Sequence, residues 1–301
     1  MAQRKTWLTT AAWLLTPLLL AAVLVTGWHG PQAAVYDTVR QVNRWRTAAS
    51  VEQYLTLEGT HFTVRYEAQD KNVAPVVLKV AEQLYPSLVQ TMHFTPPDRV
   101  TLVIYPDRET LRQAFGWSDQ ESAVGVYWAG TISLLSPNVW LGDLPAAQAE
   151  RAFYRYGPLA HEFTHLALDY RTSGNYPHWF SEGLAQWVEH KLTGYLWLEP
   201  DNRLDQPRYT LDQLDKNFDQ LPNVAMAYRE SYLLVDYLAQ QGGPDSIGRL
   251  VDRLAQGESL QTAVQRSYGI RWGDLDNRFE AWLQANAATL DARPPQAPPT
   301  R

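Results

Sequence analysis

Five consecutive residues, His161-Glu162-Phe163-Thr164-His165, carry the most evident chemistry in this sequence. On a helix, positions i and i+4 share a face and lie about 6 Å apart along the axis. Two imidazoles so placed can hold one zinc ion, and the carboxylate of Glu162 beside them can deprotonate a metal-bound water. Gly157-Pro158 offers a helix start, and Phe163, Leu166 and Leu168 offer apolar packing. A second segment, Pro177 to Ala185 (PHWFSEGLA), reads as a turn entering a helix that carries Glu182. Alone, Glu182 reads as a solvated first-turn acid. Paired with the upstream motif it becomes the third ligand, which leaves the fourth zinc position open, as catalysis requires. His178 competes for that role, but a residue just before the helix is less firmly aimed. The chain has no cysteine, so thiolate ligation and disulfides are excluded, and a metal here must use histidine and carboxylate.

The elements that position these residues begin with the compartment. Arg4 and Lys5 precede an apolar run from Trp7 to Trp28, interrupted only by Thr, Gly and Pro17. As a helix, these residues would span about 33 Å, close to the hydrocarbon thickness of a bilayer. Tryptophans at both ends and cations before the run predict a signal-anchor with its N-terminus in the cytoplasm and the remainder extracytoplasmic. The alternatives are a cleaved secretory signal, cut near Ala33-Ala34, which would release a secreted chain, and a buried core helix. The net charge of −6 becomes −8 once Arg4 and Lys5 are set aside, which argues against a nucleic-acid partner.

Residues 32–59 carry helical spacing (Val35, Val39, Val42, Trp45) and read as a stalk or as the domain's first helix. Strands are predicted over 61–67 and 99–105, and as a hairpin over 124–128 and 131–135, turning at Ala129-Gly130. A helix over 73–92 contains Pro86, a kink or break, and a short helix ends near Phe115. Beyond Ala146 the period is mostly helical, with helices at 158–171, 179–192, 225–241, 244–255, 259–267 and 272–289. Strands with a few helices, followed by helices, predict an α+β fold. The predicted organisation is a cytoplasmic tip (1–6), a spanning segment (7–28), a helical juxtamembrane linker (29–59), a catalytic domain (60–290, with lobes over 60–171 and 172–290) and a Pro-rich, disordered tail (291–301).

HEFTH followed by WFSEGLA resembles the gluzincin metallopeptidases, in particular the peptidase MA-like group, whose members carry H-E-x-x-H and a downstream W-x-x-E-G-x-A. The likeness is strong from about Tyr156 to Glu189 and looser to Leu283. It implies a zincin-like fold, with a small twisted mixed sheet over the motif helix and then a mostly helical lobe. It also implies that His161, His165 and Glu182 bind zinc and that Glu162 is the catalytic base. Related gluzincins place a tyrosine after the third ligand, so Tyr228 is the candidate for stabilising the oxyanion, with Tyr232 the alternative; either also reads as core packing. Arg229 reads as a substrate-carboxylate binder or as an exposed helical arginine. Asp169, Glu189 and, more weakly, Gln186 are candidates to orient the ligand histidines, or are solvated helix residues. Residues 131–135 read as an edge strand pairing with substrate, as the resemblance implies, or as a buried strand.

Other patterns fit less well. A metzincin needs glycine at 168 and histidine at 171, where Leu168 and Arg171 stand, and no histidine follows His190 to serve as in thermolysin-like enzymes. The reading is therefore a zinc metallopeptidase acting on exported proteins or peptides. The alternatives are a catalytically inactive tethered scaffold that binds protein partners, and a zinc hydrolase of a non-peptide amide or ester.

Overall fold

A computed structural model describes residues 29–118, 123–142 and 144–292. The run from Trp7 to Trp28 and the Pro-rich stretch from Arg293 lie outside the described residues. No helix among the described residues is long and apolar enough to cross a membrane.

Period-two and fully apolar stretches build one five-stranded sheet. Its strands are β1 (Leu55–Glu58), β2 (Phe62–Tyr66), β3 (Val100–Tyr105), β4 (Gly125–Trp128) and β5 (Thr131–Leu135), in the order β1-β2-β3-β5-β4. The three inner strands run parallel, whereas β1 and β4 pair antiparallel at the two edges. β3 sits in the middle with every residue but Thr101 buried, which explains its unbroken VTLVIY character. The β4–β5 hairpin turns at Ala129 and Gly130, both with left-handed backbone (φ 40° and 87°). β5 is interior and all five of its residues are buried, so on its side of the sheet the edge strand is β4.

The first helix, α1 (His29–Ser50), is shorter than the helical spacing predicts. The helix expected to reach Gly59 stops at Ser50, and Leu55–Glu58 instead pairs with β2, with Leu57 opposite Val64. The alternation of Leu55 and Leu57 with Thr56 and Glu58 suits a strand, and pairing with β2 satisfies the backbone. α1 does not stand off the domain. Gln32 donates to Ser173 O (2.8 Å), Arg40 to Asp169 Oδ2 (2.9 Å) and Asn43 to Trp128 O (2.9 Å).

α2 (Ala74–Met92) continues through Pro86 as a single helix. α3 (Arg108–Phe115) starts at Asp107, whose carboxylate accepts from Thr110 N, and the short α4 (Pro137–Trp140) follows β5. α5 (Ala146–Tyr156) precedes the motif helix α6 (Leu159–Thr172), which packs on β4, β5 and α2. α7 (His178–Thr193) lies against α6 on one side and against α9 (Val224–Gly242) on the other. The approach to α9 is close enough that a Cβ on Gly183 would fall 2.3 Å from Ser231 O, so only glycine fits beside Glu182. α8 (Leu211–Asn217), α10 (Ser246–Ala255), α11 (Leu260–Tyr268) and α12 (Trp272–Asp291) complete the helical part. The sheet over the motif helix and the helical remainder together make the expected α+β fold.

Candidate active site

α6 carries His161, Glu162 and His165 on one side, and the second turn of α7 brings Glu182 up to them. One donor atom from each of His161, His165 and Glu182 lies within 4.8 Å of the other two. His161 Nε2 is 3.2 Å from Glu182 Oε2, and His165 Nε2 is 3.6 Å from Glu182 Oε1. Two imidazole nitrogens and one carboxylate converging from two packed helices form a donor set that fits zinc. The remaining ring nitrogens are also engaged. His165 Nδ1 lies 2.8 Å from Ser181 Oγ, and His161 Nδ1 lies 3.7 Å from Glu189 Oε2. Such contacts fix ring orientation in metal sites. Glu189 thus lies near His161, where an orienting carboxylate was expected, and Ser181, adjacent to Glu182 in sequence, makes a contact to His165 that was not predicted.

The electrostatics favour positive charge at this point. Burial alone would push the Glu182 carboxyl up, but His165, His161 and His178 outweigh it and hold it well below the usual carboxylate range. Burial likewise opposes protonation of His161, yet Glu182 and then Glu189 lift its imidazole well above the ordinary value. A buried carboxylate facing imidazole nitrogens is suited to balancing a cation. Burial also pushes the Glu162 carboxyl up, against the lowering pull of His161 and His165. A raised carboxyl is a stronger base when ionised, as proton transfer requires. Glu162 is held in place by the backbone N–H of Tyr127 on β4, which donates to Oε2 at 2.6 Å. Gly125 makes room for this approach, since a Cβ there would fall 2.9 Å from Glu162 Oε1 and 2.6 Å from Pro158.

The profile of the Peptidase MA superfamily matches residues 83–285, a stretch that contains β4, α6, α7 and α9. This chain belongs to the Peptidase MA superfamily. Among solved structures, the M1 zinc metallopeptidase from Deinococcus radiodurans is similar, at 13% identity and a TM-score of 0.39. That alignment covers 82% of this chain and 53% of the other, so the chain spans about half the length of that enzyme. No curated protein matches it.

Two cavities flank the site of this Peptidase MA chain. One, of about 750 Å³, runs between α1 and β4 and is bordered by Tyr36, Val39, Trp128 and Tyr176. The other, of about 870 Å³, runs past Trp140, Tyr156, Trp197 and Val224. His161, Glu162, Gly125 and Tyr228 line both, so the cavities meet at the proposed base. Burial, then the carboxylates of Glu182 and Glu162, push the Tyr228 phenol well up, which keeps its proton available for donation. Tyr232 is turned elsewhere, with its hydroxyl 2.8 Å from His190 Nδ1.

Several predicted roles fall differently in this Peptidase MA fold. Asp169 does not reach His165; it accepts from Arg40 Nη1 (2.9 Å) and from the Tyr127 hydroxyl (2.5 Å). Gln186 donates to Tyr228 O at 3.1 Å and so steadies the tyrosine's backbone. Arg229 neither meets the cleft nor points to solvent. It is buried and donates to Leu290 O (3.1 Å) at the end of α12, because α9 is covered on that face. His178 lies at the rim, 3.0 Å from Glu182 Oε1 and 2.8 Å from Asp219 Oδ1, holding the proposed third ligand from outside. Trp179 is core, with its indole N–H donating to Asp215.

Proposed function

We propose that this protein hydrolyses peptide bonds in exported proteins or peptides, held at the outer face of a membrane by residues 7–28. The observation that carries the reading is the convergence of His161, His165 and Glu182 with Glu162 beside them in a shared cleft. These three side chains would hold a zinc ion, which when bound supplies Lewis acidity to the attacking water and to the carbonyl oxygen. Glu162 accepts a proton from that water as its oxygen attacks the carbonyl carbon. Glu162 then delivers the proton to the nitrogen as the C–N bond breaks. Tyr228 donates its hydroxyl proton in a hydrogen bond to the oxyanion, a role supported by its place on the wall of both cavities. Ser181 and Glu189 hold the imidazoles in orientation. Room on both sides of Glu162 supports binding a chain that continues past the scissile bond in both directions.

Metal analysis by mass spectrometry tests the reading, with wild type beside His165→Ala and Glu182→Gln, followed by a quenched-fluorescence peptide library. We expect about one zinc per wild-type chain, strongly reduced in both variants, and cleavage that tracks metal content. A folded wild-type chain that takes up no metal when zinc is supplied would sink the enzyme reading.

A further inference from the structure

α1 buries one face against the domain and leaves another apolar face open. Val35, Val39, Val42 and Trp45 recur at helical spacing on that open face and are between 45% and 72% exposed. Trp128, at the end of the edge strand, is 59% exposed and is joined to the same helix through the Asn43 side chain, which donates to its carbonyl. Scattered single apolar residues need no explanation, but a helical stripe with two exposed indoles does.

Of the charges on α1, Asp37, Arg40 and Arg44 lie off the stripe, whereas Arg46 lies on it, four residues after Val42. Arg40 pairs with Asp169 and Asp37, and Arg44 pairs with Asp98. Arg46, next to Trp45, is exposed and has no ion-pair partner among the described residues. An apolar helix face that ends in an exposed tryptophan and an exposed cation has features of one lying in a membrane interface.

The chain that precedes the helix names the occupant. α1 begins at His29, directly after the apolar run that ends at Trp28. Pro31 sits in the first turn of α1, where its missing N–H does no harm. We propose that the outward face of α1, together with Trp128, docks on the lipid bilayer. The inference rests on the tether proposed above. Val35, Val39 and Trp128 also border the cavity that contains His161 and Glu162. Docking through them sets the mouth of the cleft at the membrane surface, and the substrates are polypeptide segments that lie there.

The chain contains no native cysteine, so single labels are unambiguous. Val35→Cys, Val42→Cys and Trp45→Cys would be made in the full chain, with Arg266→Cys on α11 as the control, and each spin-labelled. The proteins are reconstituted in vesicles of phosphatidylethanolamine and phosphatidylglycerol and floated to establish tethering. Collisional relaxation by oxygen and by a water-soluble nickel chelate is then measured. The proposal expects the three α1 labels to be open to oxygen and shielded from nickel, with the label at 266 open to nickel. Labels on α1 open to nickel in chains that float would overturn the docking and leave the tether standing. Shielding from both reagents would also overturn it, because a protein surface, a second copy or residues 1–28 would then cover the stripe. A chain that does not float overturns the tether and the docking together, whereas zinc content and peptide cleavage report separately on the peptidase reading.

Discussion

Tyr127 reaches two turns of the motif helix at once. Its backbone N–H donates to Glu162, and its hydroxyl donates to Asp169, seven residues further along α6. The hydroxyl also accepts from Gly130 N at 3.0 Å, and Arg40 donates to the same Asp169 oxygen, Oδ2. Edge strand, hairpin turn, α1 and α6 are thereby joined at one phenol, and the carboxylate of Glu162 takes its position from that junction. Burial, and then Asp169, push the Tyr127 phenol well above its usual range, so it remains a donor throughout the working pH range.

Glu162→Gln keeps an oxygen for the Tyr127 N–H and removes the base. The variant should fold and take up zinc like the wild type while kcat falls by about 10²–10⁴-fold. Peptide turnover alongside metal content checks this, and turnover within tenfold of wild type would remove Glu162 from the mechanism.

Tyr228→Phe and Tyr232→Phe separate the two candidate tyrosines. The first should lower kcat by about 10²-fold with little change in KM, because the hydroxyl acts on charge that develops only in the transition state. The second loses the hydrogen bond to His190 and should cost about 1 kcal/mol of stability with kcat retained. Equal kinetic effects at both positions would contradict the assignment.

Gly183→Ala tests the packing that delivers Glu182. Glycine to alanine inside a helix ordinarily stabilises by about 1 kcal/mol. Here the new Cβ meets Ser231 O at 2.3 Å, so the sign should reverse to a loss of about 1–3 kcal/mol, with weaker zinc binding as α7 shifts from α9. Urea unfolding and zinc titration measure the two effects, and a more stable variant would show that α7 and α9 have slack.

Glu230 gives the fold a pH dependence remote from the cleft. Burial pushes its carboxyl up to about 8, with Asp276 and Glu280 adding to the effect, against the N–H of Tyr209 (2.8 Å from Oε2) and Arg208. The folded chain therefore keeps a proton that the unfolded chain releases near the ordinary value of 4.5. Stability should fall as pH rises from about 4.5 to about 8, by up to roughly 5 kcal/mol, and then level off. Glu230→Gln should flatten that slope in urea titrations of the detergent-solubilised chain, and a wild-type slope that survives the substitution would assign it to another group.

What the sequence makes legible here is local. His161, Glu162 and His165 fall within five consecutive residues, so helical geometry brings out the histidine pair and its acid, and the resemblance carried by the second short motif adds Glu182 as the candidate third ligand. The hairpin announces itself through Ala129-Gly130, and most later helices through their period. What stays hidden depends on distant partners. Asp169 lies one turn past His165, which suggests a shared role, yet its partners arrive from β4 and α1. Arg229 reads as a surface arginine until the end of α12 is laid over it. β1 has only four residues and continues a helical-looking stretch, so its identity comes from β2 rather than from its own pattern. α8 has only seven residues and buries two leucines, too few for its period to stand out. Ser181 stands beside Glu182 in sequence, but a serine in a helix has no signature as the partner of a histidine.

The bond between Arg40 and Asp169 closes a loop of 129 residues. A ribosome adds about 5–20 residues per second, so α1 leaves it roughly 6–26 seconds before its partner exists. The two halves of the cleft on that side are therefore born far apart in time. Until β4 and α6 arrive, α1 lacks two of its main partners, Trp128 and Asp169, and the wall it gives to the cleft closes only then. The cleft is complete only once α9, which carries Tyr228, has followed α6.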